Sequence, residues 1–128
     1  MPGPARAGAV IYAKDLARMA AFYETLLGMR RLHASPDHVV LESADIQLVI
    51  HGIPPHIAAT FEISTPPEKR EETAIKLFLT VPSLEAAAKA APALGGEVFG
   101  MAWEGPGFRV RDTCDPEGNI LQLREPCT

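Results

Sequence analysis

The chain has 128 residues, which suits one domain with a hydrophobic core, and 47% of its residues are hydrophobic. Its formal net charge is −4 and no basic run exceeds two residues, which argues against nucleic-acid binding. Membrane-length apolar stretches and the apolar core of a signal peptide are both missing, so we expect a cytoplasmic protein that binds no membrane. Cys114 and Cys127 lack metal-type spacing and are expected to be free thiols.

The amino-terminal region predicts a strand followed by a helix. Residues 9–13 are mostly apolar or aromatic, as in a strand. Asp15 is a suitable N-cap for a helix from Leu16 to about Leu27, because its carboxylate can accept a hydrogen bond from the first helical turn. Gly28 then suits the end of that helix, where a left-handed conformation is common.

Three short strands are predicted next, at residues 29–34, 38–42 and 46–51. Alternation in the third of them places Gln47 and His51 on one face. Alternation therefore predicts that the His51 side chain faces the interior. An ordinary, partly buried histidine at a strand end would fit the same alternation. His33 and His38 lie near the turn at Pro36, and we expect both to be solvated.

Residues 52–73 are expected to form a linker, because they contain two proline pairs and a charged run at residues 68–72. A small irregular strand is predicted around Phe61. After the linker, residues 74–81 predict a strand, and Ser83 predicts the N-cap of a helix over residues 84–94 that Pro92 must end or kink. Three strands then follow, at residues 97–103, 108–113 and 120–125.

The two halves repeat one βαβββ order, which indicates an internal duplication. Residues 13–16 align with residues 81–84 at an offset of 68, and the last strands align with Gln47 opposite Gln122 at an offset of 75. We therefore predict an α+β fold with modules at residues 8–51 and 74–125. The two tandem βαβββ modules are expected to form a curled mixed β-sheet around a cavity, with the helices on the outside.

The segment Asp115-Pro-Glu-Gly-Asn119 predicts a sharp turn into the last strand. By itself it is equally compatible with an ordinary hairpin at a sheet edge. Together with Lys14-Asp-Leu16 and with Phe22-Tyr-Glu-Thr-Leu-Leu-Gly28, on the duplicated frame, it resembles the vicinal oxygen chelate superfamily. That superfamily includes glyoxalase I, extradiol dioxygenases and bleomycin-resistance proteins.

The resemblance implies four metal-ligand positions, one on the first and one on the last strand of each module. Those positions fall on Gly8, Gln47, Lys76 and Gln122. Glycine has no side chain to offer, and glutamine brings no charge. A lysine ammonium repels a dication by roughly 8 kcal/mol at ~4 Å and an effective dielectric constant near 20. We therefore expect no bound metal and no cofactor. The alternative is a metal site with an altered ligand set, in which His51 is a ligand.

Other residues suggest what a metal-free interior would hold. Lys76 lies in an otherwise apolar strand, so it either extends outward along a sheet edge or presents its ammonium to an anionic ligand. Trp103 and Phe108 flank the loop at residues 104–107, which would form a mobile lip. These two aromatic residues either line a ligand pocket or pack in the core or a dimer interface.

The sequence thus predicts a glyoxalase/bleomycin-resistance-like protein that binds a small organic molecule without a metal. The predicted ligand-binding residues are Gln47, His51, Lys76, Trp103, Phe108 and Gln122. A homodimer is implied by the resemblance. The alternative is a lyase, isomerase or dioxygenase of the same superfamily, with an altered metal set or a metal-free mechanism that uses Lys76. A third hypothesis is an interaction module whose interior is packed shut.

Overall fold

The computed structural model describes residues 4–127, and the chain divides into two compact units between Glu62 and Ile63. The first unit contains β1 (Gly8–Ala13), α1 (Leu16–Leu27), β2 (Arg30–Ala34), β3 (His38–Glu42), β4 (Gln47–Gly52) and α2 (Pro55–Ala58). Its strands form one mixed sheet in the order β1-β4-β3-β2. Strand β1 pairs with β4 in parallel, and the other neighbours are antiparallel.

Helix α1 has the bounds that the sequence predicts, because both of its ends are fixed by local residues. The Asp15 carboxylate accepts a hydrogen bond from the Arg18 backbone N–H at 3.1 Å, and Gly28 is left-handed with φ 62°. The buried residues of the helix are Met19, Ala20, Phe22, Tyr23 and Leu26. The sheet residues Leu41, Leu48 and Ile50 are fully buried, so the core of this unit lies between α1 and its sheet.

The second unit repeats the same order of elements. It contains β5 (Phe78–Thr80), α3 (Leu84–Ala90), a 3₁₀ helix (Ala91–Leu94), β6 (Glu97–Gly105), β7 (Phe108–Cys114) and β8 (Ile120–Pro126). The sheet order is β5-β8-β7-β6, with β5 parallel to β8 and the remaining neighbours antiparallel. The prediction of an α+β fold with two tandem βαβββ modules is therefore confirmed. Neither four-stranded sheet closes on itself, and the cavity expected around the sheet stays a prediction.

The strand predicted at residues 74–81 is wrong in its first four positions. Strand β5 has three residues, and the backbone bond nearest to its start is from the Gln122 N–H to the Leu77 carbonyl oxygen at 2.9 Å. Phe78 is the parallel partner of Gln122, so the residues before Lys76 precede the start of β8 at Ile120 and have no strand to pair with. Ile75 is 79% exposed, so this apolar side chain is not part of the core.

Pro92 has the effect that the sequence predicts on the second long helix. The α-helical part ends at Ala90, and the chain continues as a 3₁₀ helix with Pro92 in its first turn. Proline has no N–H to donate and its ring opposes an α-helical path. Gly95 then ends the segment in a left-handed conformation with φ 89°.

Residues 52–73 do not form a free linker, and no strand forms at Phe61. The segment instead contains α2, whose first residue, Pro55, suits a helix start because a first-turn N–H has no helical partner. Lys14 Nζ donates to the carbonyl oxygens of Ala58 and Phe61, and its ammonium lies 5.0 Å from the centre of the Phe61 ring. The first part of the segment is therefore held by the first unit.

The later part of the segment is held by the second unit at the predicted turn. The Arg70 N–H donates to the Gly118 carbonyl oxygen at 2.8 Å. The fully buried Asp115 carboxylate accepts hydrogen bonds from the backbone N–H groups of Glu117 and Asn119 at 2.9 and 3.0 Å. Gly118 has φ 91°, as a left-handed turn position requires.

In residues 4–127, no helix has the length and apolar character to cross a membrane.

Candidate functional site

Strand β4 carries two of the predicted site residues on the sheet face opposite α1, which we call the open face of the first unit. Leu48 and Ile50 are buried against the helix. Because side chains alternate along a strand, the neighbouring residues of β4 lie on the other face of the sheet. Gln47 and His51 are therefore both on the open face, and both are partly exposed. Gly8 is the register partner of Gln47, so the two predicted ligand positions of this unit are adjacent.

A row of four rings crosses the open face of the first unit. Successive centroids are separated by 5.6 Å from Tyr12 to His51, 6.0 Å from His51 to His38, and 5.1 Å from His38 to His33. His33 is exposed as predicted. His38 is partly exposed, with 33% of its side chain accessible, and pairing of β3 with β4 sets it opposite His51.

The two inner histidines of this row have fixed orientations. His51 Nδ1 donates to the Gly52 carbonyl oxygen at 2.9 Å. His38 Nδ1 lies 2.9 Å from both Asp37 Oδ1 and Ser35 Oγ. The rings of His38 and His51 are stacked with an interplanar angle of 13°. Because ring lone pairs lie in the ring planes, two nearly parallel rings 6.0 Å apart do not converge on one metal ion.

The second unit brings Lys76 to the face of its sheet opposite α3, which we call the open face of the second unit. Lys76 Nζ lies 3.4 Å from Asp112 Oδ2. Asp112 is the register partner of Gln122 on β8, and Gln122 is in turn the partner of Phe78 on β5. The structure therefore groups Lys76 with Gln122 through Asp112, a partner that the sequence analysis missed.

Arg124 is a second residue that the sequence analysis missed. Its guanidinium carbon lies 3.7 Å from the ring centre of Phe78 and 4.3 Å from that of Phe108. The Nη2 group donates to Gln122 Oε1 at 3.4 Å. Alternation along β8 indicates that Arg124 shares a face with Gln122, but the two rings belong to neighbouring strands that only the sheet order brings together.

Trp103 and Phe108 both belong to the open face of the second unit by register. Trp103 pairs with Val110, which pairs with Arg124, so the tryptophan is two strands away from the arginine. The Trp103 side chain is 42% exposed. Phe108 is partly buried, and its ring lies so close to Gly105 that a Cβ there would be 2.2 Å from it. Phe108 therefore packs against the loop as well as against the guanidinium.

These positions do not suit a divalent metal. A Cβ on Gly8 would lie 2.8 Å from the Gln47 carbonyl oxygen, so a side chain there would have to displace β4. Gln47 and Gln122 contribute no negative charge, and Lys76 is a cation. Within the described range 4–127, no three His, Cys, Asp or Glu side chains are arranged to hold a metal ion. The donor set thus disagrees with the metal chemistry that the resemblance implies for other members.

The fold, with two tandem βαβββ modules, is that of the vicinal oxygen chelate superfamily. A model of the glyoxalase-like domain matches residues 8–123, and the chain belongs to that family. The resemblance drawn from the sequence is therefore confirmed. No curated protein matched the chain.

Solved structures show the same fold at low sequence identity. A glyoxalase/bleomycin resistance protein/dioxygenase family enzyme from Burkholderia phytofirmans is 18% identical, with a TM-score of 0.70 over 97% of this chain and 100% of that chain. A fosfomycin resistance protein from Mesorhizobium loti is 16% identical, with a TM-score of 0.64 over 99% and 95%. A bleomycin resistance determinant encoded on the transposon Tn5 is 18% identical, with a TM-score of 0.62 over 98% and 100%.

Proposed function

We propose that this protein binds a small organic molecule and does so without a divalent metal. The proposed contact residues are Gln47 and His51 in the first unit and Lys76, Trp103, Phe108 and Gln122 in the second. Family membership supports a role in small-molecule recognition, since the similar structures include proteins described as antibiotic resistance factors. A shared fold alone does not fix an activity, so the proposal depends on the residues of this chain.

The observation that carries the proposal is the mixed aromatic and polar character of the second unit's open face. Phe78 is 55% exposed and Trp103 is 42% exposed, so large ring surfaces are accessible there. Gln122 and Lys76 add an amide and an ammonium on the same face. Ring surfaces with a few polar groups are typical of sites that bind organic ligands.

Native mass spectrometry of the purified protein tests the proposal. We expect each chain to carry either no adduct or an organic adduct, and we expect elemental analysis to find no stoichiometric divalent metal. The proposal would be overturned by one tightly held divalent ion per chain that is lost in Gln47→Ala or Gln122→Ala. Thr25→Ala, an exposed change on α1, serves as the matched control.

The alternative function is an enzyme, as a metal-free lyase or isomerase or as a dioxygenase with an altered metal set. The contact between Lys76 and Asp112 at 3.4 Å favours the metal-free version, because it holds the Lys76 ammonium on this face, where it would act as an electrostatic anchor. Turnover of a candidate substrate that disappears in Lys76→Ala would support this function. Retention of full activity in that variant would contradict it.

Two further properties are proposed with the function. A homodimer is the assembly that the family resemblance suggests, and the same mass spectra would report the number of chains. A cytoplasmic location is supported by the cysteines, since Cys114 and Cys127 are both free thiols. Fractionation of the cells that produce the protein would test the location.

A further inference from the structure

We infer that the ligand is an organic anion and that Arg124 binds its oxyanion. This inference rests on the proposed function and names the class of its ligand. The Arg124 guanidinium packs against two aromatic rings, with one ring centre at 3.7 Å and the other at 4.3 Å. Rings that cover the faces of a guanidinium leave its N–H groups to hydrogen-bond in its own plane, where Gln122 Oε1 already accepts from Nη2 at 3.4 Å.

The charge of Arg124 is not balanced by a neighbouring carboxylate. Among residues 4–127, the ion pairs of the second unit join Lys76 to Asp112 and Lys89 to Glu85, and none includes Arg124. The Arg124 Nε atom is buried and has no hydrogen-bond partner within the same described range. A partly desolvated cation without a counter-ion is unfavourable, and a bound anion would relieve this.

The surroundings of Arg124 define the rest of the ligand. Lys76, Asp112 and Arg124 together carry one net positive charge, although the whole chain has a formal charge of −4. Arginine prefers planar oxyanions such as carboxylates, which can accept two of its N–H groups. Trp103 lies two strands away in the same row, about 10 Å from Arg124 at the usual strand spacing. The ligand class is therefore an anion with a planar apolar body.

A matched pair of probes tests the inference. 2-Naphthoate and its uncharged amide, 2-naphthamide, have the same ring system and differ in the charge of one group. Titrations followed by saturation transfer from protein to ligand would give the affinity of each probe. We expect the wild-type protein to bind the carboxylate roughly tenfold or more tightly than the amide, because hydrogen bonds to charged groups are stronger.

Variants of Arg124 connect that preference to the residue. Arg124→Gln should weaken naphthoate by roughly tenfold and leave naphthamide within about twofold. Arg124→Lys keeps the charge but not the planar fork, so it should bind naphthoate with intermediate affinity and remains informative if the glutamine variant unfolds. Arg109→Gln is the matched control, because Arg109 is exposed on the opposite face of β7. It should keep the wild-type preference.

The possible results of these titrations test the anion class of the ligand and the role of Arg124 separately. Equal affinity of the wild-type protein for both probes would overturn the anion inference and leave the proposed small-molecule function standing. A preference that survives in Arg124→Gln would overturn the assignment to Arg124. Binding of neither probe would overturn the inference that this face takes an anion with a planar apolar body, and the mass spectra of the purified protein would then test the proposed small-molecule function separately.

Discussion

Asp37 shows how a single turn residue responds to its neighbours. Its pKa is lowered from 3.8 to about 2, mainly by the hydrogen bond from Ser35 Oγ and next by the one from His38 Nδ1. Because the folded-state pKa lies below the unfolded value, the contribution of this carboxylate to stability is present above about pH 4 and is lost as the pH falls toward 2. The contribution is small, since solvent screens an exposed carboxylate.

Removing the hydroxyl should move the titration of Asp37. We expect Ser35→Ala to raise the pKa of Asp37 toward 3.8, measured by the carboxyl carbon shift in NMR spectra over the acidic range. Ser43→Ala is the control, because the Ser43 hydroxyl bonds to the Ile46 carbonyl oxygen and not to Asp37. An unchanged Asp37 titration in Ser35→Ala would contradict the assigned cause.

The two cysteines should differ in reactivity. Burial, and next the neighbouring Asp115 carboxylate, raise the pKa of Cys114 to about 11. Since the thiolate is the reactive form, we expect iodoacetamide at about pH 8 to label the partly exposed Cys127 and to spare Cys114 until the protein unfolds. Peptide mass spectrometry measures both sites, and equal labelling in the folded protein would refute the prediction.

For single residues, the sequence predicted which side chains share a face of a strand better than it predicted which side chains contact each other across strands. Alternation placed Gln47 with His51 on one face, and this placement is confirmed. The sandwich of Arg124 between two rings was missed. It depends on β5 and β7 flanking β8, which is a long-range pairing that alternation along one strand does not encode.

At the scale of elements, the turn at residues 115–119 also serves as a docking point for the chain before it. A Cβ on Gly118 would lie 2.0 Å from the Glu68 carbonyl oxygen, so this glycine is required by close approach as well as by its φ of 91°. Gly107 has a similar φ of 79° but no neighbour within 4 Å of such a Cβ. A side chain at Gly107 would therefore meet backbone strain alone, whereas a side chain at Gly118 would meet both backbone strain and a steric clash.

This pair of glycines gives a stability prediction. Gly107→Ala should lose about 1–2 kcal/mol of the free energy of unfolding, as a left-handed alanine does. Gly118→Ala should lose roughly 1–3 kcal/mol more, because the added methyl also displaces backbone. Urea denaturation of both variants measures the difference. Equal losses would show that the segment around Glu68 moves away without penalty.

Element boundaries were predictable where they are set locally. Asp15 and Gly28 fix both ends of α1, and Pro92 ends the α-helical part of the second long helix. The extent of β5 was not predictable, since the length of an edge strand depends on its pairing with a neighbour that lies far away in sequence. The short helix α2 was missed because a proline pair was interpreted as part of a linker.

At the scale of the whole molecule, the chain is a tandem duplication whose last strands both carry glutamine where the resemblance implies a metal-binding residue. If no metal stabilises the fold, dialysis against EDTA should leave the melting temperature unchanged, and adding Zn²⁺ or Mn²⁺ should not raise it. Differential scanning calorimetry provides the measurement. A decrease with EDTA that Zn²⁺ or Mn²⁺ reverses would contradict the metal-free proposal.

Four features could be inferred from the residues alone: the superfamily, the repeated βαβββ order, the ends of α1 and the amides at the metal-ligand positions. Those features depend on residue identity and short-range periodicity, which are properties of the chain alone. Tertiary structure decided the length of β5, the pairing of Lys76 with Asp112, the stacking of His38 on His51 and the packing of Arg124. Each of these depends on which strands become neighbours, and strand pairing joins residues that lie far apart in sequence.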